Sequence, residues 1–256
     1  MATPVPTPSF PPPLPPPADA GLLMSARVAL THPNPLLTDL LHLSCANLWG
    51  CAVVVRASSP ESALPQLTAA EPDLILAGLT ERLPETLVHL RRVLPRARLI
   101  LLVPLLNEYL VHFVSRLELS GIAEEASASF GGIAAAMAAV RAGHRYLCPR
   151  YTELAMQSRQ DPRSFTKLLT PRQVAVLRCI AHSMDDDDVG AHFGIIRSTA
   201  KRHRANLMHK LDLHSSQLLT HQAQRLGFNC ISPPPRTPAR RTSLCLRSRA
   251  GRKPSK

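Results

Sequence analysis

Between Ala26 and Gly143 short aliphatic runs alternate with helix-compatible stretches, and this alternation constrains the fold more than any other feature of the chain. The runs are RVALT at 27–31, CAVVVRA at 51–57, DLILAGL at 73–79 and RLILLV at 98–103. Runs this short, this aliphatic and bounded by turn residues read as buried parallel strands. The stretches between them, Pro35–Leu48, Pro60–Ala70, Pro84–Leu94 and Asn107–Leu117, place most of their prolines where a first helical turn tolerates a missing N–H. A short fifth strand at Gly121–Ala123 and a helix over Ile133–Ala142 complete five βα units. The expected architecture over residues 25–143 is an α/β domain with a doubly wound, parallel, five-stranded sheet.

The pattern then changes. Residues 144–167 contain two prolines and mixed polarity and read as a connecting segment. After Leu169 no strand pattern remains, and four helices are legible at Pro171–His182, Asp186–Phe193, Arg197–Leu211 and Ser215–Leu226. An all-α domain is therefore expected over 168–229. Residues 1–24, with the run TPVPTPSFPPPLPPP, and residues 230–256, with PPPRTPARR and RSRAGRKPSK, are too rich in proline or charge to pack, and both ends read as disordered. With 45% hydrophobic but only 4% aromatic residues, the composition suits aliphatic strands and helices and disfavours an all-β sandwich.

The formal charge of +12 is concentrated at one end. Residues 1–164 balance 13 basic against 13 acidic side chains, 165–229 hold 9 against 5, and 230–256 carry 8 basic residues and no acid. A basic C-terminal third permits attraction to phosphate backbones without establishing it. The six cysteines form no Cys-x-x-Cys pair, so neither a zinc site nor a disulfide framework is indicated. With no signal-type leader and no apolar run approaching ~20 residues, a cytoplasmic chain without a membrane segment is expected.

The landmarks Leu169-Thr170-Pro171-Arg172, Val176-Leu177, Ile180-Ala181, Ile195, Thr199, Lys201, His203, Asn206, Lys210 and Leu211 fall in order and at characteristic spacing. Across about 60 residues this stretch closely resembles the helix-turn-helix domain of LuxR/NarL-type regulators. The residues support that likeness on their own. Thr170 followed by Pro171 makes a good helix start. On the third helix Ala200, His203, Leu207 and Leu211 recur at spacings of three and four and form an apolar stripe, while Ser198, Lys201, Arg202, Ala205 and His209 lie opposite. Such a helix fits the DNA major groove, where Lys and Arg donate to guanine acceptors. The resemblance implies that Lys201, Arg202 and Ala205 face base edges and that Arg197 and Thr199 lie nearer phosphate. The expected DNA-contacting set is Arg197, Ser198, Thr199, Lys201, Arg202, Ala205, Asn206 and His209.

Six positions depart from the family pattern. Asp185, Asp186, Asp187 and Asp188 open the second helix, where polar and often basic residues are usual. They complement the helix dipole and offer a cap, but they would repel nearby phosphates; consecutive acids lack the alternation of a calcium loop. Ala175 stands where glutamate is usual and Ser216 where arginine is common.

Residues 26–150 more faintly resemble the receiver domain that precedes this helix-turn-helix in NarL-type response regulators, through His32-Pro33-Asn34-Pro35-Leu36, Pro72-Asp73-Leu74-Ile75-Leu76, Ala97-Arg98-Leu99-Ile100 and Ala138-Ala139-Val140-Arg141-Ala142-Gly143. A working receiver needs an acidic pair for magnesium, an aspartate to accept phosphate, a hydroxyl to sense it and a lysine to neutralise it. On this alignment the acidic pair falls on His32 and Pro33, the acceptor on Gly78, the hydroxyl on Val103 and the lysine on Glu125. No phosphorylation site and no metal site are expected. Related receivers pair through outer helices, which implies a homodimer presenting two recognition helices.

No phosphate loop, nucleophile elbow or paired catalytic carboxylates occur, so neither an enzyme nor a cofactor is expected. Two functional readings follow. One is a DNA-binding transcription regulator acting on double-stranded DNA without aspartyl phosphorylation. The other, favoured by the aspartate run, is an interaction protein, adaptor or antagonist, whose receiver-like domain captures a protein partner while its helix-turn-helix binds DNA weakly or not at all.

Overall fold

The computed structural model describes residues 23–80, 82–117, 119–231 and 233. Nearly all of the Pro-rich leader expected over 1–24 and of the basic tail expected over 230–256 lies outside these residues. The chain forms two compact units, one built from the residues up to Leu168 together with Arg225–Ser232, the other from Leu169–Gln224.

The first unit is a parallel sheet of β1 (Arg27–Thr31), β2 (Ala52–Ala57), β3 (Leu74–Gly78), β4 (Arg98–Val103), β5 (Gly121–Glu124) and β6 (Tyr146–Leu147), in the order β2-β1-β3-β4-β5-β6. The doubly wound α/β expectation holds; the strand count is six where five were expected. The sixth is a two-residue strand whose Tyr146 and Leu147 pair with Gly121 and Ile122 of β5. Two residues carry no periodic signal, which is why the pattern gave five. The central strand β3 is buried along its whole length, as an aliphatic run in a parallel sheet must be.

Helices α1 (Pro35–Asn47), α2 (Pro60–Ala70), α3 (Leu83–Val93), α4 (Glu108–Ser115) and α5 (Phe130–Arg141) connect the strands. Asn34, Ser59, Asn107 and Ser129 cap α1, α2, α4 and α5 with side-chain oxygens that accept first-turn amides. The core sets Val28, Leu30, Leu74, Leu76, Ile100 and Leu102 of the strands against the small inner face of α5, where Ala134, Met137 and Val140 are fully buried. Helix α1 buries Thr38 and Ser44 beside Leu41 and Cys45, whereas Leu36 and Leu43 are 67% and 55% exposed.

Residues 144–167 hold β6, α6 (Pro149–Gln160) and α7 (Phe165–Leu168), all within the first unit. Arg225–Ser232 belongs to the same unit. There Phe228 stacks on Tyr109 at 4.3 Å and meets Phe165 edge-on at 4.9 Å, while the Tyr109 N–H donates to the Leu226 carbonyl at 3.1 Å. Gly227, at φ +90°, lets the backbone pass so close to Asn107 that an added Cβ would lie 2.1 Å from its carboxamide.

The second unit contains α8 (Pro171–Ala181), α9 (Asp186–Phe193), α10 (Arg197–Lys210) and α11 (Ser216–Arg225), matching the four helices expected. Val176, Leu177, Ile180, Val189, Phe193, Ala200, Leu207 and Leu219 form its core. Among the described residues no helix is long and apolar enough to cross a membrane.

Candidate functional site

In the second unit the helix start anticipated at Thr170 is a full capping box. The Gln173 N–H donates to Thr170 Oγ1 at 3.3 Å and the Thr170 N–H donates to Gln173 Oε1 at 3.0 Å. Lys210 Nζ, at the far end of α10, also donates to Gln173 Oε1 at 3.0 Å, which fixes the end of α10 to the start of α8. The α9 to α10 turn is made by Gly194 in the left-handed region, and it passes close to α9, since a Cβ on Gly190 would meet the Ile195 carbonyl oxygen at 2.8 Å. These contacts hold α9 and α10 in a compact helix-turn-helix.

Ser198, Lys201, Arg202, Ala205, Asn206 and His209 are exposed on α10, Arg197 is exposed at its first residue and Thr199 is half-buried. Ala200 and Leu207 are buried on the opposite side, with His203 between the two environments. Burial and the charges of Arg172 and Arg202 lower the His203 pKa, so the ring is neutral at physiological pH and packs rather than adding charge.

Each of the four aspartates has a local structural role. Asp185 Oδ1 accepts the Asp187 and Asp188 amides, both at 2.8 Å, and Asp188 Oδ2 returns the bond by accepting the Asp185 amide. Asp186 Oδ1 accepts from Arg204 Nε at 2.7 Å, and the same guanidinium donates to the Met184 carbonyl at 2.9 Å. Asp187 pairs with Arg197 at 3.1 Å across solvent-exposed surface. The amide of Asp188 above all, then that of Asp187 and the arginines, hold the Asp185 carboxyl below its ordinary range. A depressed folded-state pKa means that the cap's contribution is fully present above the ordinary carboxylate value and is lost as pH falls below it, through the depressed folded-state value.

Arg204 is the residue of this site that sequence reasoning missed. It lies on α10 yet is turned to α9, with its side chain only 13% exposed. Its position between the apolar stripe and the basic face was the available signal.

In the first unit, His32, Gly78, Val103 and Glu125 converge at the carboxyl edge of the sheet: β3 ends at Gly78 and β4 at Val103, while His32 and Glu125 immediately follow β1 and β5. The Asn34 N–H donates to His32 Nδ1 at 3.0 Å, so His32 Nε2–H donates to Glu125 Oε1 at 2.9 Å. The imidazole covers Gly78, where an added Cβ would lie 2.3 Å from His32 Cδ2 and 2.6 Å from Pro33 Cδ. The receiver fold implies a magnesium ion at this edge, and the residues do not fit one. Imidazole and proline replace the acidic pair, and Glu125 is engaged by His32. Glu124, the neighbouring acid, accepts from the Leu106 amide and the Ser127 hydroxyl.

Residues 167–223 match the model of the bacterial regulatory proteins of the luxR family, and this stretch is a LuxR-family helix-turn-helix domain. Its companion is a receiver-fold α/β domain. RcsB from Salmonella enterica serovar Typhimurium, solved bound to promoter rprA in the presence of phosphomimetic BeF3-, aligns with a TM-score of 0.57 at 15% identity, over 78% of this chain and 98% of that one. The Salmonella typhimurium RcsB response regulator solved in a study of conformational dynamism for DNA interaction aligns at 0.56 and 15% identity, over 79% and 98% of the two chains. A structure of two RcsB dimers bound to two parallel DNAs aligns at 0.55 and 16% identity, over 79% and 99%. At these identities the likeness is one of fold. No curated protein matches the chain.

Proposed function

We propose that this protein is a transcription regulator of the LuxR/NarL response-regulator type that binds double-stranded DNA through α10 and works without conventional aspartyl phosphorylation. The observation that carries this reading is the exposed face of α10, on which Lys201, Arg202, Ala205 and His209 recur at recognition-helix spacing in a LuxR-family helix-turn-helix. The aspartate run, which would favour an interaction protein, is occupied in capping α9 and pairing with Arg197 and Arg204. That weakens the rival reading. Selection of bound duplexes from a random pool is expected to return a shared motif; recovery of unrelated sequences at every round would reject specific DNA binding.

For the receiver-fold domain, the support is chemical. Glycine offers no nucleophile, and the space beside it is filled by His32. Incubation of the full chain with acetyl phosphate and magnesium is expected to leave its intact mass unchanged. The Gly78→Asp variant should also remain unmodified, because the new carboxylate must displace His32 and Pro33, at a cost of about 1–3 kcal/mol for overpacking. An acid-labile phosphoryl adduct on the wild-type first unit would overturn the reading.

A homodimer accords with this proposal. Leu36, Leu40 and Leu43, spaced i, i+4 and i+7 on α1, present an exposed apolar stripe of the kind that pairs receiver-fold domains.

A further inference from the structure

Helices α4 and α6, together with β6, line a solvent-open cavity of about 460 Å³ within the first unit, and it shares no lining residue with the carboxyl edge described above. The volume falls in the range of small-molecule sites. Its chemistry is one-sided. Arg145, just before β6, and Arg159, in the last turn of α6, line it together with His112, and no carboxylate does. The acids on the two helical walls have partners of their own: Glu108 accepts from the hydroxyls of Ser158, a lining residue, and Ser164, and Glu153 pairs with Arg150. Val111 and Leu147 give the cavity an aliphatic side, and Met156, exposed to solvent, extends it.

We propose that this cavity binds a small organic anion, its oxyanion group held by Arg145 and Arg159 and its apolar body laid against Val111, Leu147 and Met156. Two guanidiniums match a carboxylate or phosphate by paired N–H donors, and the aliphatic side excludes water from the remainder of the ligand. Burial, then the charge of Arg116, push the His112 pKa down. An anion bridging Arg145 and Arg159 would pin the end of α6 to the edge of the sheet. The site would give a receiver-fold domain that the reading above leaves without phosphoryl chemistry a ligand of its own.

The test is calorimetric titration of the full chain with inorganic phosphate, phenyl phosphate and benzoate, alongside NMR titration of the histidines. Phenyl phosphate is expected to bind saturably and roughly tenfold or more tighter than inorganic phosphate, the difference reporting the apolar side. Its ranking against benzoate decides between a phosphate and a carboxylate ligand. The Arg145→Gln/Arg159→Gln variant, altered only at exposed side chains, should weaken binding by about tenfold or more while keeping the thermal midpoint. Bound anion should raise the His112 pKa. The proposal fails if neither aromatic anion saturates the site at millimolar concentration, if the double variant binds equally well, or if benzyl alcohol binds as tightly as the anions.

Discussion

The Lys201→Ala/Arg202→Ala variant is expected to lose specific duplex binding while its helix content and thermal midpoint stay unchanged. Both side chains are exposed on α10, and neither is paired with a carboxylate among the described residues, so their removal leaves no orphaned partner in the fold. A well-placed side-chain to base pairing discriminates by about 1–3 kcal/mol, so losing two weakens specific binding by roughly thirty-fold to four orders of magnitude. Gel shifts on a selected duplex and on a scrambled one separate the roles. If the two residues read bases, the specific complex weakens far more than the nonspecific one. If they touch only phosphates, both weaken alike and the salt slope drops by about two. Unchanged specific affinity would reject α10 as the recognition helix.

Arg204→Ala is the second large effect, and it acts on stability. Arg204 and Asp186 are 13% and 20% exposed, and the guanidinium also serves the Met184 carbonyl. Breaking a fully buried pair costs about 3–5 kcal/mol; partial solvent access here lowers the expectation to about 2–4 kcal/mol. Urea unfolding followed by a probe in the second unit measures it. A double-mutant cycle with Asp186→Ala should show coupling of at least about 1 kcal/mol, because each residue is the other's charge partner. Additive losses would mean that Arg204 acts by packing its stem alone. DNA affinity of the folded fraction should fall much less than in the Lys201/Arg202 variant, which separates the grip on α9 from the contact with DNA.

The parts of the fold that were legible in the sequence are those with long periodic signals. RVALT, DLILAGL and RLILLV announced β1, β3 and β4 because burial on both faces leaves polar residues only at their ends. The Thr170-Pro171 start and the outward set on α10 were legible from local spacing. What escaped depends on partners distant in the chain. Helix α6 has a single buried residue, Tyr151, and so shows no apolar stripe. The four aspartates could be read as caps, but Asp186 finds Arg204 eighteen residues later, across a turn whose geometry no local pattern encodes. Likewise, alignment marked His32 and Glu125 as misfits for phosphoryl chemistry, whereas the bond joining them spans 93 residues and could only be seen in three dimensions. The packing of Phe228 on Tyr109 had no signal beyond one aromatic residue following a helix.

That last contact alters how the helix-turn-helix unit is tied to the chain. The polypeptide leaves the first unit after Leu168 and rejoins it at Arg225, with Phe228 and Ile231 buried there. The helix-turn-helix unit is therefore an insertion within the first unit's chain, entered after Leu168 and left before Arg225. A shortened chain ending at α11 would be a different object, because Tyr109 and Phe165 would lose a buried aromatic neighbour in Phe228.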